Sequence, residues 1–121
     1  MRLTFMPKLV HSREGKFLED IPLQEGSLLI GRRPDCDVRL DDETVSGRHA
    51  IVTVAPSAYM EGLLDVHIED QNSTNGTTVD GKEIKRHMLK HGEVVKIGSH
   101  EFAMVDEATR GFETTTVILP E

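Results

Sequence analysis

Three short segments hold side chains suited to gripping an anion: Gly31-Arg32, Ser46-Gly47-Arg48-His49 and Asn72-Ser73-Thr74-Asn75-Gly76-Thr77. A guanidinium such as that of Arg32 offers a rigid fork of donors for phosphate oxygens. A hydroxyl such as that of Ser46 adds a neutral donor, and the Asn75 amide can bond a peptide backbone on both its donor and its acceptor side. The glycines let loop backbones approach a ligand closely. Each segment has an ordinary reading when taken alone. An arginine after a turn is usually a solvated charge, Ser46 can be a plain turn residue, and a histidine such as His49 is more often structural than a ligand. Asn75-Gly76 by itself reads as the type I′ corner of a hairpin.

Catalysis fits these residues poorly. Ser46 and His49 could pair as nucleophile and base, but a hydrolase also needs an orienting carboxylate and an oxyanion hole, and no Gly-x-Ser-x-Gly elbow is present. The run from Gly26 to Arg33 falls short of a P-loop, because it lacks the Lys and Ser/Thr that hold phosphate and magnesium. His87 and His91 have no third zinc ligand in pattern. Asp35, Asp37, Asp41 and Asp42 lack the glycine and terminal Glu of a calcium loop. The expectation is a protein that is not an enzyme, with no catalytic residue, no metal and no cofactor.

The elements that must position these loops are short and β-like. Candidate strands are Leu3–Val10, Phe17–Leu23, Leu28–Ile30, Val38–Leu40, Ala50–Ala55, Leu64–Ile68, Thr77–Val79, Val94–Ile97 and Phe102–Val105. They are rich in Val, Ile, Thr and Phe, several alternate apolar with polar residues, and turn signals such as Glu14-Gly15, Asp80-Gly81 and His91-Gly92 separate them. No window carries a helical stripe over three turns; Lys85–His91 reads as one loose turn stopped by Gly92. The expected fold class is all-β: a two-sheet, mostly antiparallel β-sandwich of about 9–11 strands. Each anion-binding segment then lies at a strand end, where sandwich loops gather.

Composition narrows the partners. A length of 121 residues fits one domain. The net charge of −7 opposes general attraction to nucleic acid or an anionic membrane, so an anion site must be a local basic cluster on an acidic background. The 4% aromatic content and absence of Trp disfavour a stacking platform for single-stranded nucleic acid. The single cysteine, Cys36, forbids an internal disulfide framework. The apolar runs near the N-terminus are broken by Pro7 and Lys8, which matches neither a secretory signal nor a membrane span. The expected location is the cytoplasm, with no nucleic-acid partner and no membrane insertion. Composition shifts only after Val105, so residues 1–106 are expected to form the domain and 107–121 a flexible Thr-rich tail or linker.

The order Gly-Arg, then Ser-x-x-His, then Asn-x-x-Asn-Gly-Thr resembles the signature of the forkhead-associated (FHA) domain. Fourteen positions separate Arg32 from Ser46, and twenty-nine separate Ser46 from Asn75. The likeness runs from about Leu28 to Val105 and includes Gly92 and Gly98; Cys36 stands where a small polar residue would be ordinary. The resemblance implies a module that binds phosphothreonine in partner proteins, downstream of a Ser/Thr protein kinase. It implies that Arg32 and Ser46 bond the phosphate, and that Thr74 contacts the phosphate or the loop holding it. Asn75 would bond the ligand backbone, with Gly47 and Arg48 beside the phosphate. His49 would tie its loop to the neighbouring one, and Gly31 and Gly76 would serve loop geometry. Arg33, Thr44 and Val45 are candidates for reading residues after the phosphothreonine. The tail threonines Thr114, Thr115 and Thr116 are similar to a phosphorylated Thr-Thr motif of small bacterial FHA regulators, although that motif lies at the other terminus, and they are candidate phosphorylation sites. The alternatives are a scaffold or oligomerisation module indifferent to phosphate, and the N-terminal part of a larger signalling protein.

Overall fold

A computed structural model describes residues 6–59 and 61–107. Two hairpins in it are closed by two-residue turns with positive φ at both positions. Glu14-Gly15 (51° and 83°) joins β1 (Lys8–Arg13) to β2 (Lys16–Pro22), and Asp80-Gly81 (50° and 86°) joins β7 (Thr77–Val79) to β8 (Lys82–Ile84). Such turns match the right-handed twist of antiparallel strands. The remaining strands are β3 (Gly26–Gly31), β4 (Val38–Arg39), β5 (Ala50–Pro56), β6 (Leu64–Asp70), β9 (Arg86–Met88), β10 (Val94–Ile97) and β11 (His100–Val105).

They form two sheets. One has the order β2-β1-β11-β10-β7-β8 and the other β4-β3-β5-β6-β9. All pairings are antiparallel except β3 with β4, which run parallel and set Gly31 beside Arg39. The expected all-β sandwich is therefore present, with eleven strands among the described residues. The side-chain period of two drives its closure. Along β11, His100, Phe102 and Met104 face inward while Glu101, Ala103 and Val105 are half-buried. Val52 and Val54 of β5, Val66 and Ile68 of β6 and Ile30 of β3 meet Leu9, Val95, Ile97 and Phe102 of the opposite sheet in one apolar core.

Several local expectations change. The first strand begins at Lys8 rather than Leu3, and the stretch Leu3–Phe5 lies outside the described residues. Lys85–His91 is not a helical turn: Arg86–Met88 pairs with β6 as the sheet edge, because its backbone groups find partners on His67–Glu69. β8 had no apolar run to mark it, since Lys82 and Glu83 are exposed and only Ile84 packs inward. Asn75-Gly76 is not a type I′ corner. Gly76 has φ of 87° and Asn72 of 55°, while Asn75 is not among the positive-φ residues. The segment does not close a hairpin at all; it carries the chain from one sheet at Asp70 to the other at Thr77.

β2 shows how an edge strand escapes its own pattern. A bulge between His11 and Ser12 leaves Leu18 without an opposite residue, and the strand turns outward. Phe17 and Leu18 consequently stay 59% and 46% exposed, and only Ile21 reaches the core.

Candidate functional site

The turn leaving β3, the loop between β4 and β5, and the crossing from β6 to β7 are fastened together by backbone bonds. Arg32 N donates to Ser46 O (3.0 Å), Arg33 N to Gly47 O (3.1 Å) and Gln71 N to His49 O (2.9 Å). The first two contacts require the glycine at position 31. A Cβ there would sit 2.2 Å from Gly47 O, so no larger residue lets the two loops meet.

His49 is the internal post of this assembly and is fully buried. Its Nδ1 accepts the Ser46 N–H at 3.0 Å and its Nε2 lies 2.8 Å from Gly76 O. One ring nitrogen must accept and the other donate, so the imidazole is the Nε2–H tautomer. The backbone of His49 adds a bond to Ile30 O at 2.9 Å. Side chain and backbone together, this one residue ties the β4–β5 loop and the β6–β7 crossing to the end of β3.

The bonds among the exposed groups determine what remains available to a ligand. Ser46 Oγ accepts the Thr74 N–H (2.9 Å), which positions the oxygen and leaves its single O–H proton to donate outward. Arg32 donates from Nε to Val45 O (3.0 Å), and its two terminal nitrogens have no partner among the described residues. Asn75 donates one amide hydrogen to Thr44 O (2.8 Å), keeping its carbonyl oxygen and second hydrogen. Arg48 shares the carboxylate of Asp35 with Arg33, at 3.4 and 3.5 Å, all three side chains being well exposed. The structure therefore brings Arg32, Ser46, Thr74 and Asn75 into one linked group, with Gly47 and Arg48 adjoining it. Of the candidates for reading neighbouring ligand residues, Thr44 and Arg33 are exposed, whereas Val45 is buried in the core and cannot present its side chain.

Several supporting residues were invisible in sequence. Asp42 accepts four bonds, from the backbone N–H and hydroxyl of both Thr44 and Ser99. The Thr44 half is a local Asx pattern that sequence could suggest; the Ser99 half spans 57 positions. Asp70 accepts from the Ser73 N–H, the Ser73 hydroxyl and the Thr77 hydroxyl, bracing the β6–β7 crossing. Cys36 is buried, and its thiol donates to Gly47 O at 3.2 Å, the service a small hydroxyl would perform. Beside Thr44 and Asn75 lies an open groove of about 740 Å³, reaching to Arg13, Lys96 and Ser99. No group of three His, Cys, Asp or Glu among the described residues could hold a metal ion.

These carboxylates carry a pH signature. The hydroxyls of Ser99 and Thr44, then their backbone N–H groups, hold Asp42 well below the usual carboxylate range. Burial pushes Asp70 upward, but the bonds from Ser73 and Thr77 outweigh it and the net direction is also down. His100, on β11 next to Ser99, is lowered by burial, then by His11 and Arg13, against weaker opposing pulls from Asp42 and Glu14. Its Nδ1 lies 2.8 Å from His11 Nε2, and its buried Nε2 has no partner among the described residues. The unfolded chain binds a proton more readily than the fold at all three groups, so stability rises with pH across each interval. For His100 the loss begins as pH falls through the ordinary value of 6.5; for the two aspartates it begins near 3.8. Calorimetric melting between pH 3 and 8 should show both declines, and His100→Gln should flatten the upper one. An unchanged upper slope in His100→Gln would refute the assignment.

At one end of a small all-β sandwich, three loops locked together present guanidinium, hydroxyl and amide groups on a common surface, an arrangement chemically able to hold an anion. The FHA-domain family profile matches residues 28–98, and the chain belongs to that family. Over 79 residues it is 38% identical to the FHA domain-containing protein FhaA of Mycobacterium tuberculosis, covering 65% of this chain but only 14% of FhaA. A solved structure from a study of phosphothreonine-dependent FHA domain interactions superposes with a TM-score of 0.68 at 30% identity, covering 83% of this chain and 95% of that one. Mycobacterium tuberculosis EmbR in complex with a low-affinity phosphopeptide superposes with a TM-score of 0.67 at 29% identity, covering 83% of this chain and 24% of that one.

Proposed function

We propose that this protein is a non-catalytic phosphothreonine-peptide reader in Ser/Thr kinase signalling. The observation that carries the reading is the set of unused donors on the locked loops. The terminal nitrogens of Arg32 and the hydroxyl proton of Ser46 would bond the phosphate, with Arg48 and the Gly47 backbone beside it. Asn75 would bond the ligand main chain, and Thr74 would contact the phosphate or hold Ser46 in place. Gly31, His49 and Gly76 keep the loops in position and do not touch the ligand. Likeness to an FHA structure studied for phosphothreonine dependence and to EmbR bound to a phosphopeptide supports the same chemistry.

The partners are phosphothreonine-bearing proteins and the kinase that produces them, met in the cytoplasm. Among the described residues no helix is long and apolar enough to cross a membrane. Residues 1–106 form the reader and 107–121 its tail. Thr114, Thr115 and Thr116 lie outside the described residues; once phosphorylated, one of them would act as a tethered ligand at an effective concentration on the order of millimolar and exclude partners.

The test is calorimetry with three matched peptides drawn from a degenerate library centred on phosphothreonine. The phosphothreonine form should bind with a Kd on the order of micromolar. The phosphoserine form should be weaker by about 1–3 kcal/mol, the worth of one methyl in a fitted pocket. The plain threonine form should show no measurable heat. Equal affinity for phosphorylated and plain peptides would replace this reading with the scaffold alternative.

A further inference from the structure

Among the described residues few large apolar side chains are exposed, and two of them are neighbours. Phe17 and Leu18 stand near the start of β2, just after the Glu14-Gly15 turn. The others stand apart: Met6 before β1, Tyr59 in the connection from β5 to β6, and Met88 on the edge of the other sheet. A lone apolar residue on a surface is ordinary, whereas an adjacent exposed pair on the rim of a groove has the character of a contact surface. Edge strands are usually protected by charge or Pro, and here two bulky apolar side chains stand in that place.

The fold sets this pair at the same end as the three loops. Arg13, the last residue of β1, donates from Nε to Ser99 Oγ at 3.0 Å, which fastens the β1–β2 turn to the turn between β10 and β11. Ser99 donates to Asp42, Thr44 donates to the same carboxylate, and Thr44 O accepts from Asn75. A continuous chain of hydrogen bonds thus joins the hairpin of Phe17 to the Asn75 amide. Cross-strand register also aligns one row on the outer face of the sheet: Phe17, Ser12, Glu101, Lys96 and Thr78. Thr78, Lys96 and Glu101 line the groove of about 740 Å³ that reaches Thr44 and Asn75, so the groove leads from the loops toward Phe17. Along it Arg13 and Lys96 offset Glu14 and Glu101, which suits a ligand stretch without strong charge.

We infer that Phe17 and Leu18 are a remote docking point for the partner protein: an apolar side chain far along the chain from its phosphothreonine packs on them. This inference rests on the phosphothreonine reading. Thr78 and Phe17 lie on β7 and β2, with β10, β11 and β1 between them. At ~4.8 Å per strand spacing the separation is about 19 Å. An extended segment advancing ~3.3–3.6 Å per residue needs about six residues to cover it. Residues flanking the phosphothreonine cannot reach the pair, so this contact selects partners by a distant apolar residue as well as by phosphate. The turn that carries the pair is already fastened to the loops, so little order has to be imposed on the protein when the ligand binds.

The experiment uses the full chain and a short phosphothreonine peptide, then longer peptides that extend it with Gly and Ser on one side or the other. A single Phe is placed in turn at the sixth to ninth positions from the phosphothreonine. At one position Phe should raise affinity roughly fivefold to tenfold over the plain extension, and the gain should survive added salt because the contact is apolar. Phe17→Ser and Leu18→Ser should each remove most of that gain while binding the short peptide within about twofold of the parent chain. Phe17→Leu, which keeps an apolar surface, should retain much of it. In the unsubstituted chain the amide signals of Phe17 and Leu18 should shift with the Phe-bearing peptide and not with the short one, a readout independent of how the variants fold. No gain at any position, or a gain undiminished in both Ser variants, overturns the docking point and leaves the phosphothreonine reading intact. A parent chain that is dimeric, and that Phe17→Ser makes monomeric, overturns it too, because a second copy then covers the pair. If the parent chain does not bind the short peptide at all, both readings fall.

Discussion

Arg32→Ala is expected to weaken phosphothreonine-peptide binding by about 2–4 kcal/mol, roughly 30-fold to nearly 1,000-fold in Kd. Two losses combine. The phosphate loses a charge-assisted forked donor, and the Val45 carbonyl loses the Nε–H that fixes the loop at 3.0 Å. Arg32→Lys separates them: it keeps a positive charge but supplies neither the fork nor the fixed anchor, so its affinity should fall between the two. Calorimetry on the three chains measures the effect, and amide shifts of Ser46 and Thr74 report whether the loops remain in place. Wild-type affinity in Arg32→Ala would remove this residue from the site.

His49→Ala is expected to cost about 3–5 kcal/mol of folding stability. The side chain is fully buried, so its loss opens a cavity. It also leaves the Ser46 N–H and the Gly76 carbonyl without their partners. Domains of this size are stable by only ~5–15 kcal/mol, so the variant should unfold at a much lower urea midpoint with an unchanged slope. Affinity should fall as well, although His49 is buried behind the loops, because the Ser46 and Asn75 loops lose their shared post. A loss under about 1 kcal/mol would mean that water or a neighbouring group replaces both bonds.

Much of the site could be read from short runs of residues. Gly31-Arg32, Ser46 through His49 and Asn72 through Thr77 each carry their donors within a few positions, and the flanking Val, Ile and Thr alternation marks them as strand ends. Glu14-Gly15 and Asp80-Gly81 are turn signals in sequence and hairpin turns in structure; Gly15, Asp80 and Gly81 are types that adopt the left-handed conformation readily, whereas Glu14 takes it because the two-residue hairpin demands it. Short strands without an apolar run were not legible. Lys82–Ile84 and Arg86–Met88 are strands because neighbours at Thr77–Val79 and His67–Glu69 offer them free backbone groups, and no residue within them announces that.

The amino-acid sequence by itself determined the fold class, the Glu14-Gly15 and Asp80-Gly81 turns and the chemical kinds of donor available, because periodicity and turn preference are properties of adjacent residues. The tertiary structure alone decided which donors remain free. Thr74 N occupies one face of Ser46 Oγ across 28 positions, and Asn75 gives a hydrogen to Thr44 across 31. It also decided that Val45 is buried while Arg39 stands beside Arg32, through a parallel strand pair that no local pattern encodes. The physical reason is one of range: conformational preference acts over a few bonds, whereas these hydrogen bonds exist only after the apolar faces of the two sheets have closed on each other and brought distant loops to a common end.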